Sequence, residues 1–298
     1  MKKKVALVLS GGGARGIAHI GVIQALERQG FEITSIAGTS MGSLVGGVYA
    51  LGKMGDYADW MKTLDKRKVF QLVDFTLSMH GVVKGDKVLN KMKEFIPDMN
   101  IEDLDIAYSA TAFDLSTNKE VVFTSGSVYE AIRASISIPT VFTPVYKDNS
   151  VLVDGGVVNN IPLNNVKRLP NNEDLLIAVD VNADMPVPPG FLALKENNEE
   201  EQKRESIYQK RIKEFRERLP KLSLPTNTKG NNRLNYFELI NRTIGAMINQ
   251  NSYHVMQSYP PDLLINVSHV ACGTFDFFKA EEMIEMGRFA AQQQLEKL

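Results

Sequence analysis

The pentapeptide Gly38-Thr39-Ser40-Met41-Gly42 supplies the residue types that a nucleophilic serine needs. A serine hydroxyl aimed at a substrate carbonyl projects from a sharp, strained strand-to-helix turn, and only small neighbours fit beside it. The helix that follows also points its positive end at the hydroxyl. The same five residues describe an ordinary tight turn with a serine cap. The context raises the match, because Ile33–Ala37 reads as a strand and Leu44, Val45, Val48 and Leu51 read as one face of a helix.

Two further blocks carry chemistry. Gly11-Gly12-Gly13-Ala14-Arg15-Gly16 follows a first apolar run, Val5–Leu9, and precedes a helical pattern that ends near Gly30. Consecutive glycines let several amides converge on an anion, which in acyl transfer is the tetrahedral oxyanion, and Arg15 adds charge nearby. The same string satisfies G-x-G-x-x-G through Gly11, Gly13 and Gly16, so a dinucleotide-binding turn is an alternative. That alternative wants an acidic residue about 20 positions on, closing the second strand. Glu32 has about the spacing but precedes that strand. Asp154-Gly155-Gly156 ends a short apolar strand, Val151–Asp154, which makes Asp154 a candidate base for Ser40; Asp-Gly also makes plain turns. The four histidines are His19, His80, His254 and His269. A Ser–Asp–His order would need His254 or His269, but neither has a strand-end or glycine setting, and a partly buried structural role is expected for both. His19 is expected to pack behind the glycine loop.

These residues must be held by alternating strands and helices, which implies a parallel sheet covered on both faces. Twelve of the 22 glycines fall in residues 1–55, so the special backbone work is concentrated there. Ile106–Phe113 and Glu120–Thr124 read as strands around a turn at Ser116-Thr117-Asn118, and Ser127–Ser135 reads as a helix. Leu175–Val181 and Leu263–Val267 are further strands, and Ala280–Leu295 is a closing helix. Residues 183–260 break the alternation. Met185–Gly190, with three prolines, reads as a loop; Tyr208, Ile212, Phe215 and Leu219 have helical spacing up to Pro220; Leu222–Arg233 reads as a loop and Tyr236–Tyr253 as a helix. An apolar groove beside Ser40 would draw on Met41, Leu44 and the segment Phe70–Met79, with Phe70 and Phe75, although that segment also fits a buried helix. Glu199–Leu219 could be a lid or a membrane-surface helix. Its 8 Lys/Arg against 7 Asp/Glu over Lys195–Arg218 suit a solvated face on a docked helix better.

With 298 residues, 44% hydrophobic and 23% charged, the chain can build a large core and is not a disordered type. A net charge of -1 gives no reason to expect nucleic acid. The single cysteine, Cys272, excludes an intrachain disulfide and a cysteine zinc site, and suits a reducing compartment. The apolar run after Lys2-Lys3-Lys4 is too short for a signal peptide, and no stretch is long and apolar enough to span a membrane. A cytoplasmic protein, with peripheral membrane contact as an option, is the expectation.

The blocks Gly11–Gly16, Gly38–Gly42 and Asp154–Gly156, in that order, with Ala134-Ser135-Ile136-Ser137-Ile138-Pro139 followed by Phe142 and Pro144, resemble the bacterial type of the patatin-like phospholipase family. The resemblance covers about residues 4–182, with echoes at Ile265-Asn266 and after Phe275. It implies a single domain over 1–298, a three-layer α/β/α sandwich with a mostly parallel central sheet, and a helical insertion at 183–260. It also implies a Ser–Asp dyad without a histidine: Ser40 as nucleophile, Asp154 as base, and an oxyanion hole from Gly11, Gly12 and Gly13 with help from Arg15. No metal or cofactor is implied; the partner would be a phospholipid, lysophospholipid or related acyl ester. A catalytically inactive lipid-binding relative would keep the same fold.

Overall fold

A computed structural model of the chain describes residues 3–72, 75–78, 81–139, 141–196 and 236–297. The strands are β1 (Lys3–Leu9), β2 (Phe31–Thr39), β3 (Phe75–Ser78), β4 (Gly81–Val83), β5 (Ala107–Asp114), β6 (Lys119–Phe123), β7 (Val145–Lys147), β8 (Ser150–Asp154), β9 (Leu175–Ala183) and β10 (Leu263–Ser268). The helices are α1 (Ala18–Arg28), α2 (Met41–Ala50), α3 (Met54–Lys62), α4 (Lys66–Leu72), α5 (Asp86–Lys93), α6 (Val128–Ser135), α7 (Pro189–Glu196), α8 (Tyr236–Ser258) and α9 (Ala280–Leu295).

Eight strands form one sheet in the order β10-β9-β1-β2-β5-β8-β7, with β6 also paired to β5. From β10 to β5 all neighbours are parallel; β6, β8 and β7 add antiparallel partners at one edge. β1 lies inside the sheet, and its Val5–Leu9 run is fully buried because both faces are covered. On one face Leu9 and Ile36 meet α2 at Gly46. On the other, Ala6, Val8 and Ala37 pack with Ile161, Leu163 and Val166 and with Val255 and Met256 of α8. This is the three-layer arrangement. β3 and β4 form a separate two-stranded hairpin.

The chain divides into two units, Met1–Pro186 with Ile244–Leu298, and Val187–Thr243. The second is therefore narrower than the expected 183–260 insertion. β9 runs to Ala183, and the later turns of α8 carry Val255 and Met256 onto the sheet, which ties them to the first unit. In the second unit α7 begins at Pro189, inside the segment read as a loop: proline has no amide to lose in a first helical turn. The expected Tyr208–Leu219 helix, the Leu222–Arg233 loop and the Glu199–Leu219 surface stretch lie outside the described residues. Phe70–Met79 is neither a buried helix nor a single element: α4 has no buried residue and ends at Leu72, before the β3–β4 hairpin.

Candidate active site

Ser40 stands alone between the end of β2 and the start of α2, with φ 54° and ψ -124°. A side-chain-bearing residue holds such a conformation only when its surroundings fix it. Here the Ser40 amide donates to Ser135 Oγ at 2.9 Å, and that hydroxyl donates to the Thr111 carbonyl at 2.6 Å. Ser43 Oγ donates to the Ser40 carbonyl at 2.7 Å, and Thr39 Oγ1 to the Asn159 carbonyl at 2.8 Å. The turn is so tight that a Cβ on Gly38 would lie 2.4 Å from the Gly42 carbonyl carbon, and one on Gly42 would lie 2.2 Å from the Leu9 oxygen. The two glycines read in the sequence are thus steric requirements. Ser135 was not singled out for this role; only its neighbourhood, Ala134–Pro139, stood out.

Asp154 closes β8. It sits opposite Ala112 of β5, while Thr111 sits opposite Thr39 of β2, so the carboxyl and the elbow share one level of the sheet across β5. The Asp154 amide donates to the Ser137 carbonyl at 2.9 Å, and Oδ1 accepts from the Gly156 amide at 2.7 Å. Oδ2 is buried with no hydrogen bond of good geometry among the described residues. The Ser40 hydroxyl lies beside this carboxyl and favours its charged form, without a well-angled bond to Oδ2. Burial pushes the Asp154 pKa up from 3.8 to about 6, against the opposing pull of Ser40 and the Gly156 amide. At neutral pH the group is then mostly ionised, with one lone-pair-bearing oxygen available to a proton.

The glycine loop faces the same place, with a changed set of donors. The Gly11 amide, expected in the oxyanion hole, instead donates to the Asn160 carbonyl at 3.0 Å. The amides of Gly12 and Gly13 have no partner among the described residues. Gly13 has φ 58°, and a Cβ there would lie 2.4 Å from the Thr274 oxygen, so the loop cannot accept a side chain without moving. Arg15 does not aim its charge at the serine. Its Nε donates to the Val181 carbonyl at 3.1 Å, one Nη to Thr274 Oγ1 at 3.3 Å and the other to Asn182 Oδ1 at 2.8 Å. Asn182 Nδ2 in turn donates to the Gly11 carbonyl at 2.6 Å. Arg15 therefore staples the loop to the end of β9.

Ser40 opens onto a cavity of about 130 Å³ with almost wholly apolar walls. Met41 and Leu44 line it as expected. Phe70 does not: it is 66% exposed, and its neighbours Val69 and Leu72 face the cavity instead. Phe75 falls in β3, and its side chain is outside the described residues. Much of the wall went unread in the sequence. Tyr57, Trp60, Met61 and Leu64 come from α3 and the turn after it, Val88 and Met92 from α5, Ile136, Ile138 and Phe142 from the segment after α6, and Phe277 from a short 3-10 helix before α9. The α3 residues follow an i, i+3, i+4, i+7 spacing that marks an apolar face.

None of the three described histidines lies beside Ser40 or Asp154. His19 is buried behind the loop, as expected, with Nε2 2.8 Å from the Ser10 carbonyl and a pKa lowered to about 4 by burial, partly offset by that bond. His254 and His269 are exposed, contrary to the partly buried setting expected; they lie beside Gln250 and the Ala183 carbonyl, not beside Ser40 or Asp154. His80 is outside the described residues. Among the described residues there is no cluster of three or more metal-ligating side chains, and no helix is long and apolar enough to cross a membrane.

The patatin-like phospholipase family model matches residues 7–166, which span the glycine loop, the Ser40 elbow and Asp154. An uncharacterized NTE family protein of Mycobacterium tuberculosis is 34% identical over 331 aligned positions, covering 98% of this chain and 91% of that one. Lysophospholipase NTE1 of Kluyveromyces lactis is 34% identical over 185 positions, 59% of this chain and 12% of that much longer protein. The crystal structure of VipD from Legionella pneumophila superimposes with a TM-score of 0.50 at 16% identity over 99% of this chain and 67% of that one, a likeness of fold alone. Match and geometry coincide on the same three blocks, and the chain belongs to the patatin-like phospholipase family.

Proposed function

We propose that the chain is a serine acyl hydrolase that releases fatty acyl chains from phospholipids, lysophospholipids or related lipid esters. The observation that carries the reading is the buried, unpartnered Asp154 Oδ2 beside the hydroxyl of a strained Ser40, at the wall of an apolar cavity. In this reading Ser40 Oγ bonds to the ester carbonyl carbon and its proton passes to Asp154 Oδ2. The negative oxygen is received by the Gly12 and Gly13 amides, each donor contributing roughly 10²–10³ in rate. Collapse breaks the ester C–O bond, and the departing alkoxide takes the proton from Asp154. Water then attacks the acyl-enzyme with Asp154 again as base, returning Ser40 and a fatty acid. An enclosed apolar volume of about 150 Å³ accommodates a molecule of benzene's size, so the 130 Å³ cavity suits the first several carbons of an acyl chain.

The dinucleotide alternative finds no support in the placement of Glu32. It pairs beside Lys4 at the start of β2, while the glycine loop follows Leu9, about 17 Å along the strands. The end of β2, where a ribose-binding carboxylate would sit, holds the Ser40 elbow instead. The hydrolase reading is tested with a fluorophosphonate probe and a mixed lipid extract analysed by mass spectrometry. Labelling and free fatty acid release are expected from wild type and absent in Ser40→Ala. Wild type that neither labels nor releases fatty acid would sink the reading in favour of a lipid-binding relative.

A further inference from the structure

Four asparagines follow the Asp154 strand end, at positions 159, 160, 164 and 165. Three of them hold one another and Glu120. Asn159 Nδ2 donates to Glu120 Oε1 and to Asn164 Oδ1 at 2.8 Å each, Asn164 Nδ2 to Asn165 Oδ1 at 3.0 Å, and Asn165 Nδ2 to Glu120 Oε1 at 2.7 Å. Asn160 does not join them. It is only 6% exposed, and its carboxamide has no hydrogen-bond partner among the described residues. A buried amide left without a partner weakens a fold, so such a group calls for a ligand.

Its place is fixed from two sides. The Asn159 carbonyl accepts from Thr39 Oγ1 at 2.8 Å, and the Asn160 carbonyl accepts from the Gly11 amide at 3.0 Å. The backbone here is thus tied to the residue before Ser40 and to the glycine loop. A Cβ on Gly11 would lie 2.5 Å from Asn160 Oδ1 and 3.1 Å from the Ser40 Cβ. A Cβ on Gly156 would lie 3.2 Å from the same Oδ1 and 3.0 Å from Asp154 Oδ1. The Asn160 oxygen is therefore a neighbour of both the nucleophile and the base. Two acceptors without a well-angled donor among the described residues, Asp154 Oδ2 and Asn160 Oδ1, meet beside Ser40.

In the free enzyme the Ser40 hydroxyl faces the carboxylate. Once Ser40 is acylated it has no proton to give, and both oxygens need another donor. Water brings two O–H groups and satisfies both. An alcohol brings one and leaves an oxygen bare. We propose that Asn160 selects water over alcohols as the acceptor of the acyl group, its Oδ1 binding the second proton of the hydrolytic water. Asp154 Oδ2 takes the first proton as the water oxygen bonds to the acyl carbon. Collapse breaks the bond from that carbon to Ser40 Oγ, which recovers the proton from Asp154, and the second proton leaves on the carboxylic acid. The inference rests on the hydrolase reading and deepens it, since it concerns which acceptor the acyl-enzyme uses.

The test follows a p-nitrophenyl ester of a short acid, whose good leaving group makes acylation fast, with methanol added as a competing acceptor. Free acid and methyl ester are quantified by mass spectrometry. Per mole of acceptor, wild type should form more acid than methyl ester. Asn160→Ala and Asn160→Leu, which lack the acceptor oxygen, should raise the ratio of methyl ester to acid about three- to tenfold, the worth of one hydrogen bond. Without methanol their kcat should fall by a similar factor and KM should fall with it, which places the loss in deacylation. The proposal is overturned if wild type prefers methanol, or if a folded variant keeps the wild-type ratio. It is also overturned if kcat falls with KM unmoved, since Asn160 would then serve acylation. The wild-type ratio decides the matter even if neither variant folds. Wild type without any turnover removes the hydrolase reading and this inference together, whereas turnover with an unchanged ratio removes the role of Asn160 alone.

Discussion

Asp154→Asn should abolish turnover and make the protein more stable. The substitution keeps the shape and can still accept from the Gly156 amide, but an amide cannot take the serine proton at neutral pH. Activity should fall by about 10³ or more, near the level of Ser40→Ala, because base and nucleophile act as one unit. The stability effect follows from the raised pKa. Folded Asp154 titrates near 6 and the unfolded group near 3.8, so between those values the folded state holds a proton the unfolded state has released. Stability from this group therefore falls as pH rises from about 4 to 6 and stays low above that. The difference is about 3 kcal/mol at pH 7.5 and about 0.5 kcal/mol at pH 4, and a neutral asparagine escapes it. At neutral pH the variant should melt roughly 5–10 °C above wild type, with most of the gain gone at pH 4. Melting curves at the two pH values and kcat/KM for a soluble ester check both halves. For wild type, kcat/KM should drop about tenfold from pH 7 to pH 5 as Asp154 takes its proton. An active Asp154→Asn enzyme, or an inactive one with a lowered Tm at pH 7.5, would refute the assignment of Asp154 as a buried, ionised base.

Four further outcomes follow from the same geometry. His254→Gln and His269→Asn should each keep kcat/KM within about tenfold of wild type, whereas a loss of thousands-fold in a folded variant would restore a triad. His19→Gln should act through stability, since it disturbs the bond to the Ser10 carbonyl, with a cost of about 1–3 kcal/mol read from urea unfolding. Gly13→Val should lower kcat far more than it changes KM, because the Gly13 amide matters when charge develops on the carbonyl oxygen; an unchanged kcat would remove the loop from the chemistry. Trp60, the single tryptophan, lines the cavity, so its fluorescence should shift when an alkyl chain enters, and Trp60→Ala should move acyl preference toward longer or bulkier chains.

The legible parts of this protein are those that local sterics dictate. Gly38 and Gly42 are needed because the backbone folds onto itself and onto Leu9 within a few residues of Ser40, so the elbow is written in five consecutive letters. The buried runs Val5–Leu9 and Leu176–Val179 announce interior strands, since only a strand covered on both faces is apolar at every position. The sequence alone thus determined the alternation of elements, the position of the nucleophile candidate and the strand-end carboxylate. What it could not determine depends on partners distant along the chain. Arg15 is drawn away from the serine by groups 166, 167 and 259 positions off, and the Gly11 amide is consumed by Asn160, so of the four residues expected to contribute to an oxyanion hole only Gly12 and Gly13 keep amides without a partner among the described residues. The cavity wall likewise assembles α3, α5 and Phe277 around Ser40, and an apolar helix face looks the same in sequence whether it covers a core or lines a pocket. The Asp154 pKa is set by burial, which belongs to the packed chain and to no single segment of it.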